Sequence, residues 1–238
     1  MTRELVYGRN PIRELYRGPR EALETWVTER AAAQIPWLDA GPRPHVKPER
    51  ALTEAAGTRD HQGVVAWCEP YRYADGYDLA RVEQALLVCL DQVTDPHNLG
   101  AVARSGEAAG ATGIVLPAHG SVRVTPAVAR ASAGAVEHLP IAVVPNLARY
   151  LADVKGPELW VYAADAEGTI PLWSSDLTGS AALVLGAEGR GVRPLVRRMC
   201  DGVISIPLSG KVGSLNVSVA AAVLLYEACR QRAASAPL

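Results

Sequence analysis

Two stretches decide how the chain is read: Leu183-Val-Leu-Gly-Ala-Glu-Gly-Arg-Gly191 and Ile204-Ser-Ile-Pro-Leu-Ser-Gly-Lys-Val-Gly-Ser-Leu-Asn-Val-Ser218. Each starts as a short apolar, strand-like run and breaks into glycines where the carboxyl edge of a sheet is expected. Open α/β sheets bind ligands at that edge, because glycine lets the backbone N–H and C=O groups approach a guest closely. The second stretch opens directly into Val217–Glu227, which reads as a long buried helix. A helix start leaves N–H groups unpaired, and Ser214, Asn216 and Ser218 are residue types that cap them or turn them toward a ligand. Two flexible loops and a helix start at one place define a site.

Outward from these loops the pattern alternates. Strands are expected at Leu86–Leu90, Ile114–Leu116, Ile141–Val144, Leu159–Ala163, Ala182–Leu185 and Val203–Ile206. Between them lie helices at Leu99–Ala109, Pro126–Ser132, Asn146–Leu151 and Arg193–Met199. Such alternation predicts a mostly parallel sheet with helices on its faces. Ahead of it comes a small α/β unit. Asn10 is placed to cap a helix with Pro11 at its first position, Thr25–Thr28 is extended, and helices are expected near Ala31–Leu38 and over Pro48–Ala56. Val64–Trp67 is its last strand. Glu69–Ala80, with Pro70, Gly76 and three tyrosines, has no clear period and reads as a linker. The expected division is residues 1–70, a linker at 71–82, and a second domain at 83–238.

Composition narrows the function. The 238 residues are 49% hydrophobic with a formal net charge of −1, an ordinary globular balance with no global nucleic-acid signature. No apolar run approaches membrane-spanning length and no secretory pattern opens the chain, so a cytoplasmic protein without a membrane partner is expected. The four cysteines form no CxxC pair and the five histidines no paired ligand spacing, so no metal is expected. Arg3, Arg9, Arg13, Arg17, Arg20 and Arg30, interspersed with Glu4, Glu14 and Glu21, make either a solvated surface or an RNA-facing one. Arg190, Arg193, Arg197 and Arg198 leave the same choice between a phosphate-contacting face and a solvated one.

A third segment carries chemistry: Asp91-Gln-Val-Thr-Asp-Pro-His-Asn-Leu-Gly-Ala-Val-Ala-Arg104 follows a strand and starts a helix. Arg104 falls on the side of that helix away from Leu99 and Val102. Taken alone, Asn98 could simply cap and Arg104 simply meet solvent, and Asp95 and His97 read either as a proton relay or as turn and loop residues. Glu188, held between Gly186 and Gly189, is poorly suited to packing and well suited to orienting a polar group. No GxxxxGK[ST], GxGxxG or GxSxG motif is present, which removes phosphate-loop, dinucleotide and hydrolase-elbow readings.

Together, Asn-x5-Arg after one strand, Gly-x-Glu-Gly-x-Gly after a later one, and Ser-Leu-Asn-Val-Ser entering the last helix resemble the three signature motifs of the SpoU-type RNA ribose 2′-O-methyltransferases of the SPOUT superfamily. Tyr7-Gly-Arg-Asn-Pro-Ile-Arg-Glu-Leu15, His61-Gln-Gly-Val-Val-Ala66 and Arg130-Ala-Ser-Ala-Gly-Ala-Val-Glu-His-Leu-Pro140 extend the likeness over nearly the whole chain. It is nearest the bacterial 23S rRNA guanosine-2′-O-methyltransferases. The resemblance implies a small RNA-binding domain followed by a sheet whose C-terminal part forms a deep trefoil knot, an exception to the rule against threaded chains. It implies S-adenosylmethionine as cofactor, contacted by Gly186, Gly189, Ile206 and Leu215 with Glu188, Pro207 and Leu208 close by. It further implies catalytic roles for Arg104, Asn98, Glu188, Ser214 and Asn216, a homodimer packed through the knot region, and RNA as substrate. A tRNA ribose methyltransferase and an antibiotic-resistance rRNA methyltransferase share the motifs. An idle RNA-binding module would have lost them.

Overall fold

The computed structural model describes residues 2–235 and divides into two compact units, one of residues 1–72 and 123–138, the other of 73–122 and 139–238.

In the first unit, strand β1 (Glu4–Tyr7) leads to helix α1 (Arg9–Arg17), β2 (Ala22–Val27), a four-residue helix α2 (Glu29–Ala32), β3 (His45–Val46), α3 (Glu49–Ala56) and β4 (Val64–Cys68). The strands form one sheet in the order β1-β4-β2-β3, antiparallel except for the β2–β3 pair. Two local expectations need correction. Helix α1 begins at Arg9 with Gly8 as its cap, so Asn10 lies inside the first turn rather than capping it. The Ala-rich helix stops at Ala32, and Pro36 cannot donate the amide that would carry it onward. Gly57 ends α3 in the left-handed conformation (φ 66°), as a terminating glycine should.

The amino-terminal arginines are mostly paired. Arg3 meets Glu24 at 2.8 Å, Arg13 and Arg17 share Glu14, and Arg20 is buried against Glu137, which is also buried. Glu137 belongs to the later segment that completes this unit. The Arg20 fork also reaches Glu4 and the Glu69 carbonyl, so one cation ties three parts of the chain together.

The second unit begins with α4 (Gly76–Ala80) inside the expected linker, capped by Asp75, then β5 (Leu86–Asp91), α5 (Pro96–Ala108) and β6 (Gly113–Pro117). Helix α6 (Pro126–Ala131) belongs to the first unit. The second unit resumes with β7 (Ile141–Val144), α7 (Leu147–Val154), β8 (Leu159–Ala164), the short β9 (Ile170–Pro171), β10 (Ser180–Gly186), α8 (Pro194–Met199), β11 (Gly202–Ser205) and α9 (Val217–Ser235). Seven strands make one sheet in the order β7-β6-β5-β10-β8-β11-β9, and every pairing is parallel.

Strand β5 is buried from Leu86 to Asp91 and β6 from Gly113 to Pro117, as expected for strands covered on both faces. Val217, Ala221, Leu224, Leu225 and Ala228 recur at helical spacing as the buried stripe of α9, which packs on α5. Full burial of each leucine contributes about 1.5–3 kcal/mol. The helix is not buried all round, as its composition suggested: Val219 is 48% and Tyr226 55% exposed on another face. Among the described residues, no helix is long and apolar enough to cross a membrane.

Candidate active site

Because all seven strands run parallel, the ends of β5, β8, β10 and β11 lie along one carboxyl edge. Gly186 and Asp91, the last residues of β10 and β5, are paired across the sheet. The strand order reverses its direction of growth between these two strands, the position where open parallel sheets form a binding crevice.

The loop after β10 is a tight turn. Gly191 N–H and Arg190 N–H both donate to the Ala187 carbonyl, at 2.9 and 3.2 Å. A Cβ on Gly186 would collide with the Gly191 backbone, and Gly189 has a φ of 73°, so a side chain is sterically refused at one position and strained at the other. Asp91 fixes the far end of the turn. Its buried carboxylate accepts from Arg193 N–H at 2.9 Å and is forked by the Arg193 guanidinium, with a closest approach of 2.7 Å. Arg197 similarly reaches Asp165 at 2.9 Å. Two of the four arginines offered as a phosphate face therefore hold loops, whereas Arg190 and Arg198 are exposed.

Three polar side chains converge at the start of α9. The Asn98 amide donates to Glu188 Oε1 at 3.1 Å, and the Asn216 amide donates to Asn98 Oδ1 at 3.0 Å and to the same Glu188 oxygen. Asn216 Oδ1 meanwhile accepts from Ser218 N–H at 2.9 Å, which caps α9. One asparagine thus terminates the loop, starts the helix and joins the cluster. Asn98 is not a cap: Asp95 caps α5 through His97 N–H, leaving the Asn98 side chain for Glu188.

Beside this cluster lies a cavity of about 580 Å³. Of the residues expected to hold a cofactor, Gly186, Glu188, Gly189, Ile206, Leu208 and Leu215 line it, together with Ser214 and Asn216; Pro207 does not. Arg104 also lies outside the lining. It is exposed on α5 without a hydrogen-bond or ion-pair partner among the described residues, six residues from Asn98, or about 9 Å along the helix axis at 1.5 Å per residue. Ala164, the last residue of β8, and Asp165 and Ala166 from the loop after it line the cavity but carry no recognisable motif. Their only signal in the sequence is their position at a strand's carboxyl end.

The donor set is distinctive. Among the described residues, the charged ones in the lining are Glu188 and Asp165, the latter paired with Arg197; the rest is glycine and alanine backbone, aliphatic side chains, Ser214 and Asn216. With no lysine or arginine facing in, the cavity is unsuited to phosphate and suited to a ligand with apolar parts and a positive charge.

Comparison with known proteins gives this architecture its family. Residues 85–226 match the SpoU rRNA methylase family and residues 5–74 the RNA 2′-O ribose methyltransferase substrate-binding family. The chain belongs to the SpoU methylase family. It is 40% identical to the 23S rRNA (guanosine-2′-O-)-methyltransferase RlmB of Vibrio cholerae, over 99% of this chain and 100% of the relative. Among solved structures, the SpoU methyltransferase AviRb of Streptomyces viridochromogenes in complex with AdoMet superposes with a TM-score of 0.82 and 28% identity, covering 98% of this chain and 91% of that one. An A. aeolicus TrmH/SpoU tRNA modifying enzyme has a TM-score of 0.57 and 28% identity, and covers 66% of this chain and 81% of its own.

Proposed function

We propose that this protein transfers a methyl group from S-adenosylmethionine to the ribose 2′-hydroxyl of a guanosine in 23S rRNA. The observation that carries the reading is the cavity at the sheet's carboxyl edge, lined by two carboxylates and no cation, with the Asn98–Glu188–Asn216 cluster at its rim. Bound there, S-adenosylmethionine supplies an already activated methyl group on a cationic sulfonium. The aliphatic side chains of Ile206, Leu208 and Leu215 suit its adenosine part, and the loop backbone from Gly186 to Gly189 can hold polar edges closely.

What remains for the protein is to place the ribose oxygen in line and manage its proton. Glu188 Oε1 is occupied by two amides, while Oε2 has no partner among the described residues and can accept from the ribose. Arg104 is assigned the 2′-oxygen and a neighbouring phosphate. A guanidinium has five N–H donors and no acceptor, so it acts as a fork that stabilises developing negative charge, with phosphate or water taking the proton. Ser214 and Asn216 orient the ribose from the start of α9.

Arg104 stands away from the cavity of its own chain, which supports a homodimer in which a second copy brings it to the cavity edge. The exposed apolar side chains Val212, Leu215, Val219 and Tyr226, on the last loop and α9, provide a face for that contact. The segment from Gly186 to Val217 is assigned to a trefoil knot, a reading supported by two separate loops of that segment lining one cavity. Ribosomal RNA is favoured over tRNA because the V. cholerae relative is matched end to end, whereas the tRNA-modifying structure covers only 66% of the chain. The test is transfer of labelled methyl from S-adenosylmethionine to 23S rRNA lacking the modification. No transfer with cofactor binding abolished in calorimetry would refute the reading.

A further inference from the structure

We propose that a groove on the first unit, formed by α2, the β3–α3 connection and residues 61–63, grips the phosphate backbone of the RNA substrate. This inference rests on the enzymatic reading above and adds to it the surface that holds the RNA. The groove encloses about 890 Å³ and is lined by four cations, Arg9, Arg30, Lys47 and Arg59, against two carboxylates, Glu29 and Glu49. In a chain of net charge −1, that is a local positive patch where the total conceals one.

How these cations are held distinguishes them from several other cations of the unit. Arg3, Arg13, Arg17 and Arg50 each lie against a carboxylate, which cancels most of their field. Arg30 and Arg59 are exposed and have no hydrogen-bond or ion-pair partner among the described residues, although Glu29 and Glu49 line the same groove. Arg9 is braced by neutral groups, donating to Gln34 Oε1 at 2.8 Å and to the Gln62 carbonyl at 3.4 Å, so its charge is positioned without being neutralised. Lys47 lies 5.4 Å over the Trp26 ring, and the adjoining Val46 is 59% exposed. Cations beside an apolar and aromatic edge match a ribose-phosphate chain with a splayed base, the form in which RNA loops are recognised. Arginine forks suit phosphate oxygens in particular.

The test compares the full-length protein with Arg30→Ala/Arg59→Ala and Arg30→Lys/Arg59→Lys variants, using 23S rRNA that lacks the modification. Methyl transfer, filter retention of the RNA across a salt series, and calorimetric binding of S-adenosylmethionine are measured for each. The double alanine variant is expected to raise KM for RNA at least tenfold while kcat and cofactor affinity stay within twofold. Its plot of log affinity against log salt should flatten by about 1.4, at about 0.7 for each lost single-strand phosphate contact. The lysine pair should recover most of the loss. An unchanged KM and salt slope in the alanine variant would overturn the groove while leaving the enzymatic reading intact. A wild-type protein that retains RNA through these arginines yet transfers no methyl group would do the reverse.

Discussion

Asn98 and Glu188, ninety residues apart in the chain, share a 3.1 Å hydrogen bond, and Asn216 closes the cluster by donating to both. The arrangement separates two jobs of Asn216 that one substitution can pull apart. Asn216→Asp keeps an oxygen to accept from Ser218 N–H, so the α9 cap survives, with an expected stability change under about 1 kcal/mol. The same change sets a carboxylate against Glu188 in place of an amide donor. Turnover is expected to fall on the order of 10²-fold, in line with losing one preorganised donor. Thermal melts and single-turnover transfer measured together check both halves.

Arg104 offers a sharper test, because its assigned role depends on a planar fork rather than on charge. Arg104→Lys retains the charge and is expected to lose about 100-fold in turnover, with S-adenosylmethionine affinity unchanged in calorimetry. Near-normal turnover would remove the fork from the account. If a second copy supplies Arg104, mixing the inactive Arg104→Ala and Asn216→Asp proteins should restore part of the activity through mixed dimers. Strictly inactive mixtures would place each site within one chain.

The buried Arg20–Glu137 pair predicts a stability effect with no catalytic signature. Arg20 is 6% and Glu137 1% exposed at the side chain, so removing either leaves its partner charged and desolvated. Arg20→Ala is expected to cost about 3–5 kcal/mol in urea unfolding, and Arg20→Met/Glu137→Met to recover much of it. Equal stability of Arg20→Ala and wild type would contradict the pairing.

Alkaline pH probes the core of the first unit. Burial pushes the Cys68 thiol up from the ordinary value of 9.0 to about 11, against a smaller opposing effect of the Arg20 charge. The folded state therefore keeps a proton that the unfolded chain releases above pH 9. Stability from this group is constant below pH 9 and falls by about 1.4 kcal/mol per pH unit between 9 and 11. Cys68→Ala should show a shallower decline of Tm over that window than wild type. Parallel curves would show that the thiol stays at its ordinary value.

How far the sequence could be read depended on how local the information was. The strands were legible because runs such as Leu86–Leu90 and Leu183–Leu185 are short, apolar and bounded by glycine or charge, and each lies within the strand that forms. Gly186, Glu188 and Asn216 stood out because glycine and capping chemistry leave a mark within a few residues. Asn98 is legible as a polar residue in the first turn of α5, which by itself suggests a cap. The true cap, Asp95, lies three residues earlier, and only the contact with Glu188 across ninety residues shows what Asn98 does. Asp91 and Asp165 carry no local signal for the same reason: each takes its meaning from an arginine elsewhere in the chain, Arg193 for the one and Arg197 for the other. The arginine clusters misled in part, since pairing with carboxylates distant in sequence decides which cations remain available.

The most direct test of the central claim is to methylate 23S rRNA with labelled S-adenosylmethionine and digest the product with alkali. A methyl on the ribose 2′-oxygen removes the nucleophile that alkali needs, so the adjoining phosphodiester survives. The account predicts that the label is recovered in an alkali-resistant dinucleotide beginning with guanosine, at one position, and that Arg104→Lys slows its appearance about 100-fold. Label recovered in alkali-sensitive mononucleotides, on a base, would contradict it.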